Sequence, residues 1–194
     1  MSFHLNELTA SRVLSCEVTV GEAILPAIAS DTADPFERLV QEHQQMVLRV
    51  AYRLLGRLED AQDAAQEVFL RLLRHRHRVG PDLKAWLYRV TVNVCNDYHR
   101  RRKVVVQMEA REQRLDLDPA PNPERVLALE ERKRLVMEGL TKLPERERAA
   151  IVLRDIEGLS TAEVAAILGV EEVTVRSQAS SGRLKLAKYV RSRV

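Results

Sequence analysis

The chain has 194 residues, of which 4% are aromatic, with 7 Gly, 7 Pro and a formal net charge of +3. That length buries one large core or two small ones, and a composition rich in Leu, Val, Ala, Arg and Glu favours helices. No apolar run approaches membrane-spanning length and Cys16 and Cys95 stand alone, which excludes membrane insertion and a disulfide framework and fits a reducing cytoplasm.

The basic residues are gathered at Arg71 to Arg78, Arg100 to Lys103 and Arg176 to Arg193, offset by acidic stretches. Such clusters suit a protein that touches nucleic acid at defined places. Residues 1–33 carry only a weak helical pattern (Leu5, Leu8, Val13, Leu14, Val18), interrupted at Gly21 and Pro26. They read as an extension, either a mobile or regulatory arm or sequence upstream of the true start.

Order begins at Asp34-Pro35-Phe36-Glu37, where Asp34 can cap, proline is tolerated and Glu37 completes an Asp-x-x-Glu box. Phe36, Leu39, Val40, His43, Val47, Val50, Ala51 and Leu54 follow at helical spacing until Gly56. A second helix from Asp60 packs through Ala61, Ala64, Ala65, Val68, Phe69, Leu72 and Leu73, and shows Asp63, Gln66, Glu67 and Arg71 on its other side. After a basic loop, Asp82 opens a third, long helix with Leu83, Trp86, Leu87, Val90, Val94 and Tyr98 inward. Arg89, Asn93, Asp97, Arg100 and Arg101 lie outward. From Val104 the texture changes, and the run Leu115 to Pro123, with its prolines and acids, argues for an extended linker. Helix resumes near Glu124, and another starts after Pro144 and carries Ala149, Ile151, Val152, Leu153 and Ile156 up to Gly158.

The C-terminal stretch has the layout of a helix-turn-helix. Ser160-Thr161-Ala162-Glu163 is a capping box, Val164, Ala165, Ile167 and Leu168 form an apolar stripe, and Gly169 can end the helix in the left-handed conformation. Glu171 and Glu172 suit the positive end of the next helix, which Val173 and Val175 would anchor. Thr174, Arg176, Ser177, Gln178, Ser180, Ser181 and Arg183 offer donors to base edges and phosphates. An ordinary helical hairpin with a charged face is the plainer alternative.

Residues Asp60 to Leu72 resemble the core-binding helix of bacterial sigma factors, and Leu83 to Val90 with Asn93, Asp97, Tyr98 and Arg100 to Lys103 resemble the adjoining promoter-melting helix. Leu143 to Arg148, Asp155 to Ser160 and Thr174 to Ser177 are similar to the domain that reads the upstream element. Together, in this order, they resemble the extracytoplasmic-function (ECF) class of the sigma-70 family over Asp34 to Val194. The fold expected is all-α: two small helical domains joined by a flexible linker, the C-terminal one a helix-turn-helix. The expected divisions are an extension 1–33, a region 2 domain 34–104, a linker 105–122 and a region 4 domain 123–194.

The resemblance implies a subunit that binds the core RNA polymerase at its clamp helices and flap region, and directs it to promoter DNA. Asp63, Gln66 and Glu67, with Phe69 nearby, would meet the clamp helices. Asn93, Arg100 and Arg101 would reach the downstream element, and Arg102 and Lys103 would join Arg100 and Arg101 in gripping phosphates. The loop from Arg76 to Asp82 would hold a flipped base. An anti-sigma factor is an expected partner. The recognition helix departs from the family at Gln178-Ala179-Ser180-Ser181-Gly182, which is uncharged and holds a helix-weakening glycine. Base readout then rests on Arg176, Ser177 and Gln178, with Arg183 and Lys185 on phosphates.

A stand-alone helix-turn-helix regulator is the rival reading, and tight operator binding without polymerase would distinguish it. No phosphate-binding glycine loop, nucleophile elbow or metal motif supports an enzyme, so neither catalytic residues nor cofactors are expected. His75 and His77, two residues apart, fall on different helix faces, and neither they nor His99 have ligands at metal spacing. Trp86 sits on the apolar stripe and reads as core rather than as a base-stacking residue. Cys95 reads as a packing residue, with a redox role for it or Cys16 as the less favoured alternative.

Overall fold

The structure is a computed structural model that describes residues 34–75, 82–108 and 124–193, with side chains described except at 103–108 and 124–130. The extension 1–33 with Cys16, the loop residues Arg76 and His77, residues 109–122 of the expected linker and the Lys103 side chain lie outside the described residues.

The described residues are helical and contain no strand. The elements are α1 (Pro35–Leu55), α2 (Leu58–His75), α3 (Leu83–Met108), α4 (Glu124–Lys142), α5 (Glu145–Ile151), a π-turn (Val152–Ile156), α6 (Thr161–Leu168) and α7 (Glu172–Arg191). The all-α architecture expected from the sequence is thus observed. α3 continues to Met108, past Val104 where the sequence changes texture.

Local chemistry sets the helix ends. The Asp34 carboxylate accepts from the Phe36 amide at 3.0 Å, one residue short of the capping-box amide. Gly56 ends α1 at φ 78°, where a residue with a Cβ is strained. α2 buries Ala61, Ala64, Val68 and Leu72, mostly small residues that let its backbone approach α1 and α3. Leu73, read as part of that face, is 45% exposed instead, because it lies one residue round from Leu72. α3 buries Leu87 and Val94 as expected, together with Tyr88, Thr91, Val92 and Cys95. The Thr91 hydroxyl is satisfied within the helix by the Leu87 carbonyl at 2.7 Å. Trp86 is partly buried and packed against the core.

In the second half α7 packs on α4, α5 and α6, burying Val175, Ala179 and Gly182 on one stripe. Gly182 is explained by proximity: a Cβ there would stand 2.6 Å from Ile151 Cδ1 and 3.3 Å from Glu147 Cβ. The two halves also meet. α1 touches α4, α5 and the π-turn, and α3 touches α6, so one apolar cluster runs through both. Arg148 is buried at this junction, donating to the carbonyls of Leu54, Thr141 and Leu143 and lying 2.7 Å from His99 Nε2. Burial lowers its pKa, with Glu145 opposing.

Candidate nucleic-acid interface

Three surfaces gather the residues singled out from the sequence. The first is a cleft of about 300 Å³ between α2 and α3, lined by Asp63, Gln66, Glu67, Leu70, Arg71, Val94, Asp97, Tyr98 and Arg101. Asp63 and Gln66 are exposed and Glu67 half-buried, one helical turn apart, whereas Phe69 turns away and packs against the core. Arg71 bonds Glu67 at 2.8 Å and reaches Asp97 at 3.8 Å, tying the two walls together. Burial raises the pKa of Tyr98, and the Asp63 and Asp60 carboxylates add to the shift, with Arg101 opposing. The cleft is acid-rich on its α2 side.

The second surface is the outer end of α3. Asn93, Arg100, Arg101 and Arg102 are exposed there. Arg100 pairs with Asp97 at 3.0 Å, and Arg102 with Asp60 at 3.1 Å. These cations face solvent; the Arg100 pair runs along α3 and the Arg102 pair crosses to α2.

The third is the helix-turn-helix. The Ser160 amide donates to the Glu163 carboxylate at 2.7 Å and the Glu163 amide to the Ser160 hydroxyl at 3.2 Å, so the capping box is complete. The Ser160 hydroxyl and the Ser160 amide hold the Glu163 carboxyl below its ordinary pKa. Gly169 at φ 66° ends α6, and the Val170 amide returns to the Ala165 carbonyl at 3.1 Å.

α7 presents some of its expected residues outward and turns others in. Arg176, Ser177, Ser180, Arg183 and Lys185 are exposed, and Thr174, Gln178 and Ser181 are partly buried. The Ser181 hydroxyl donates to Glu147 at 3.1 Å, and Gln178 Oε1 is buried. Val173 does not anchor the helix as read from the sequence: it is 60% exposed, because Val175, two residues on, takes the inner stripe. The exposed cations are partnered. Arg176 meets Glu172 at 2.7 Å, Lys185 meets Glu147 at 2.6 Å, and Arg183 grips Asp155 through two bonds of 2.6 and 2.7 Å. The hydrogen bond to Asp155 raises the Arg183 pKa.

The π-turn was not foreseen, and it positions two acids. Asp155 and Glu157 stand two residues apart and so face nearly opposite ways. Asp155 serves α7. Glu157 points into the junction, bound by Arg53 and by Arg49 at 3.4 and 3.5 Å, and accepting from the Tyr88 hydroxyl at 3.2 Å. Burial raises the Tyr88 pKa, and the Glu157 charge adds to the shift. Across the same junction Arg89 donates to the Ala166 carbonyl at 2.9 Å. Among the described residues no group of His, Cys, Asp and Glu could hold a metal, and no helix is long and apolar enough to cross a membrane.

Comparison with known proteins converges on one family. Residues 39–104 match the model of sigma-70 region 2, and residues 133–186 that of sigma-70, region 4. ECF RNA polymerase sigma factor SigE of Mycolicibacterium smegmatis is 39% identical over 96% of this chain and 74% of its own length. ECF RNA polymerase sigma factor SigW of Bacillus subtilis is 27% identical over 81% of this chain and 90% of its own. The fold is similar to that of sigma factor RpoE in complex with the anti-sigma factor NepR from Bartonella quintana. The TM-score is 0.65 at 23% identity, over 80% of this chain and 96% of that one. It is also similar to CnrH in complex with the cytosolic domain of CnrY, with a TM-score of 0.58 at 25% identity, over 81% and 88% of the two chains. With both sigma regions present in order, a stand-alone helix-turn-helix regulator is set aside. The chain belongs to the ECF RNA polymerase sigma factors of the sigma-70 family, transcription initiation factors that direct RNA polymerase to promoters.

Proposed function

We propose that this sigma factor divides its work between its halves. Residues 34–104 bind the core enzyme's clamp helices and read the downstream promoter element, and residues 123–194 engage the flap region and read the upstream element. Asp63, Gln66 and Glu67 supply the polar contact to core, and Asn93 with Arg100, Arg101, Arg102 and Lys103 meets the downstream strands. On α7, Arg176, Ser177 and Ser180 face the bases. The observation that carries this division is the pairing of an acid-rich α2 face with a separate, outward helix-turn-helix on the other half. The polymerase performs the chemistry; this chain needs no catalytic residue, metal or cofactor of its own, and acts in the cytoplasm beside its enzyme. An anti-sigma factor competes for the same surfaces, and residues 1–33 are a second candidate regulator.

The test is transcription by core RNA polymerase and this chain on genomic DNA fragments, with the transcripts sequenced. Discrete start sites sharing two spaced elements are expected, and core binding without discrete starts would overturn the promoter-reading roles. The charge-reversal pair Asp63→Lys and Glu67→Lys should weaken core affinity by about tenfold or more while leaving helicity intact. Full affinity in that variant would remove α2 from the core interface.

A further inference from the structure

We propose that Val173 is a specificity-determining residue that reads one thymine of the upstream element through its 5-methyl group; this rests on the assignment of α7 to that element. The outward stripe of α7 consists of Val173, Ser177, Ser180 and Leu184, at intervals of four, three and four residues, opposite the buried stripe of Val175, Ala179 and Gly182. Its centre carries hydroxyls and its two ends carry branched apolar side chains, 60% exposed at Val173 and 71% at Leu184.

Beyond Arg176, the groups that read bases through paired hydrogen bonds are drawn away from this stripe. Arg183 is held by Asp155 and Lys185 by Glu147, while Ser181 bonds Glu147 and the Gln178 oxygen is buried. Recognition helices of this type contact base edges with their N-terminal residues. Val173 lies in the first turn of α7, fixed by the αL turn at Gly169 and by Val175 two residues on. Leu184 lies about 16 Å further along the axis, beyond a groove about 12 Å wide. In the major groove only thymine presents an apolar group, its 5-methyl. The Val173 methyls complement it, whereas any other base sets a polar edge against them and leaves that edge without a partner.

The experiment uses the whole chain bound to core RNA polymerase and an upstream element selected by that complex from randomised promoter DNA. Each thymine of the element is replaced in turn by deoxyuridine, which removes the methyl group alone, and the affinity of the promoter complex is measured for the native chain and for Val173→Ala. One replacement should weaken the native complex about fourfold, the worth of one buried methyl, and leave the Val173→Ala complex unchanged. A selected element indifferent to all its thymine methyls, or one equally sensitive in Val173→Ala, overturns the role of Val173 alone. Selection of no upstream sequence, with discrete transcripts still made, overturns the α7 assignment and Val173 with it.

Discussion

Glu157 and Arg53 stand 104 residues apart in the chain and form a buried ion pair that joins its two halves. Their side chains are 4% and 7% exposed. Withdrawing two charges from water costs several kcal/mol per ion, which is offset only where the geometry is good and the remaining lone pairs are filled. Here Arg49 and the Tyr88 hydroxyl fill them. Removing the carboxylate takes from buried Arg53 the charge that meets it from the other half. Glu157→Ala should therefore destabilise the joined form by about 3 to 5 kcal/mol. Small-angle scattering would register a larger radius of gyration with helical circular dichroism retained. An unchanged radius and unchanged urea midpoint would mean that apolar contact alone joins the halves.

Arg183 is bound to Asp155 in the free protein through Nε and Nη2, so its charge is already countered before it meets a phosphate. Asp155→Asn removes the competing charge. Non-specific DNA binding should strengthen severalfold, and the slope of log affinity against log salt should steepen by about 1, one further phosphate neutralised. A slope equal to that of the native chain would exclude Arg183 from the DNA contact.

The capping box gives a prediction with a defined pH sense. The Ser160 hydroxyl and the Ser160 amide both hold the Glu163 carboxyl below its ordinary pKa of 4.5. A carboxyl depressed on folding stabilises at pH values above its unfolded pKa, and that contribution is lost as the pH falls through the lowered folded value. Ser160→Ala should cost about 1 kcal/mol at pH 7. It should also flatten the loss of stability below pH 4.5, since the unfolded and folded pKa values of Glu163 move together. Parallel acid titrations of the two proteins would count against the cap.

Cys95 is buried, and burial pushes its thiol from 9.0 up to about 12, with Arg148 opposing. The neutral thiol is the native form. Its contribution is therefore complete below pH 9 and is lost as the pH rises towards about 12. At pH 8 its thiolate fraction should be roughly a thousandfold below that of the unfolded chain. In a Cys16→Ser background, iodoacetamide should label Cys95 rapidly in denaturant and hardly at all in the native state. Rapid native labelling would restore Cys95 as a redox candidate.

The helices, their caps and the turn at Gly169 were legible in the sequence because each depends on residues within a few positions of one another. Asp34, Gly56, Asp82, Ser160 and Gly169 do locally what their chemistry dictates. What the sequence concealed depends on distant partners. Gly182 reads as a weak point in a helix and is instead the place where α7 closes on Ile151. Val173 and Val175 are chemically identical, and only the phase of α7 against α5 decides which is buried. Arg148 and Glu157 lie in charged stretches that resemble the upstream-reading domain, yet they serve the junction. The clue available was their position: Glu157 sits beside a glycine at φ 74°, where the chain turns back.

Arg148 has one further consequence. Its guanidinium closes the carbonyl end of α1 by donating to Leu54, and it simultaneously holds the carbonyls of Thr141 and Leu143 that lead into α5. A helix end in one half is thus finished by a side chain from the other, beside His99 of its own half. Produced as separate fragments, each would carry an uncovered apolar face where the other sat, and the two should recombine when mixed. The chain is in this respect a heterodimer whose subunits happen to share a backbone.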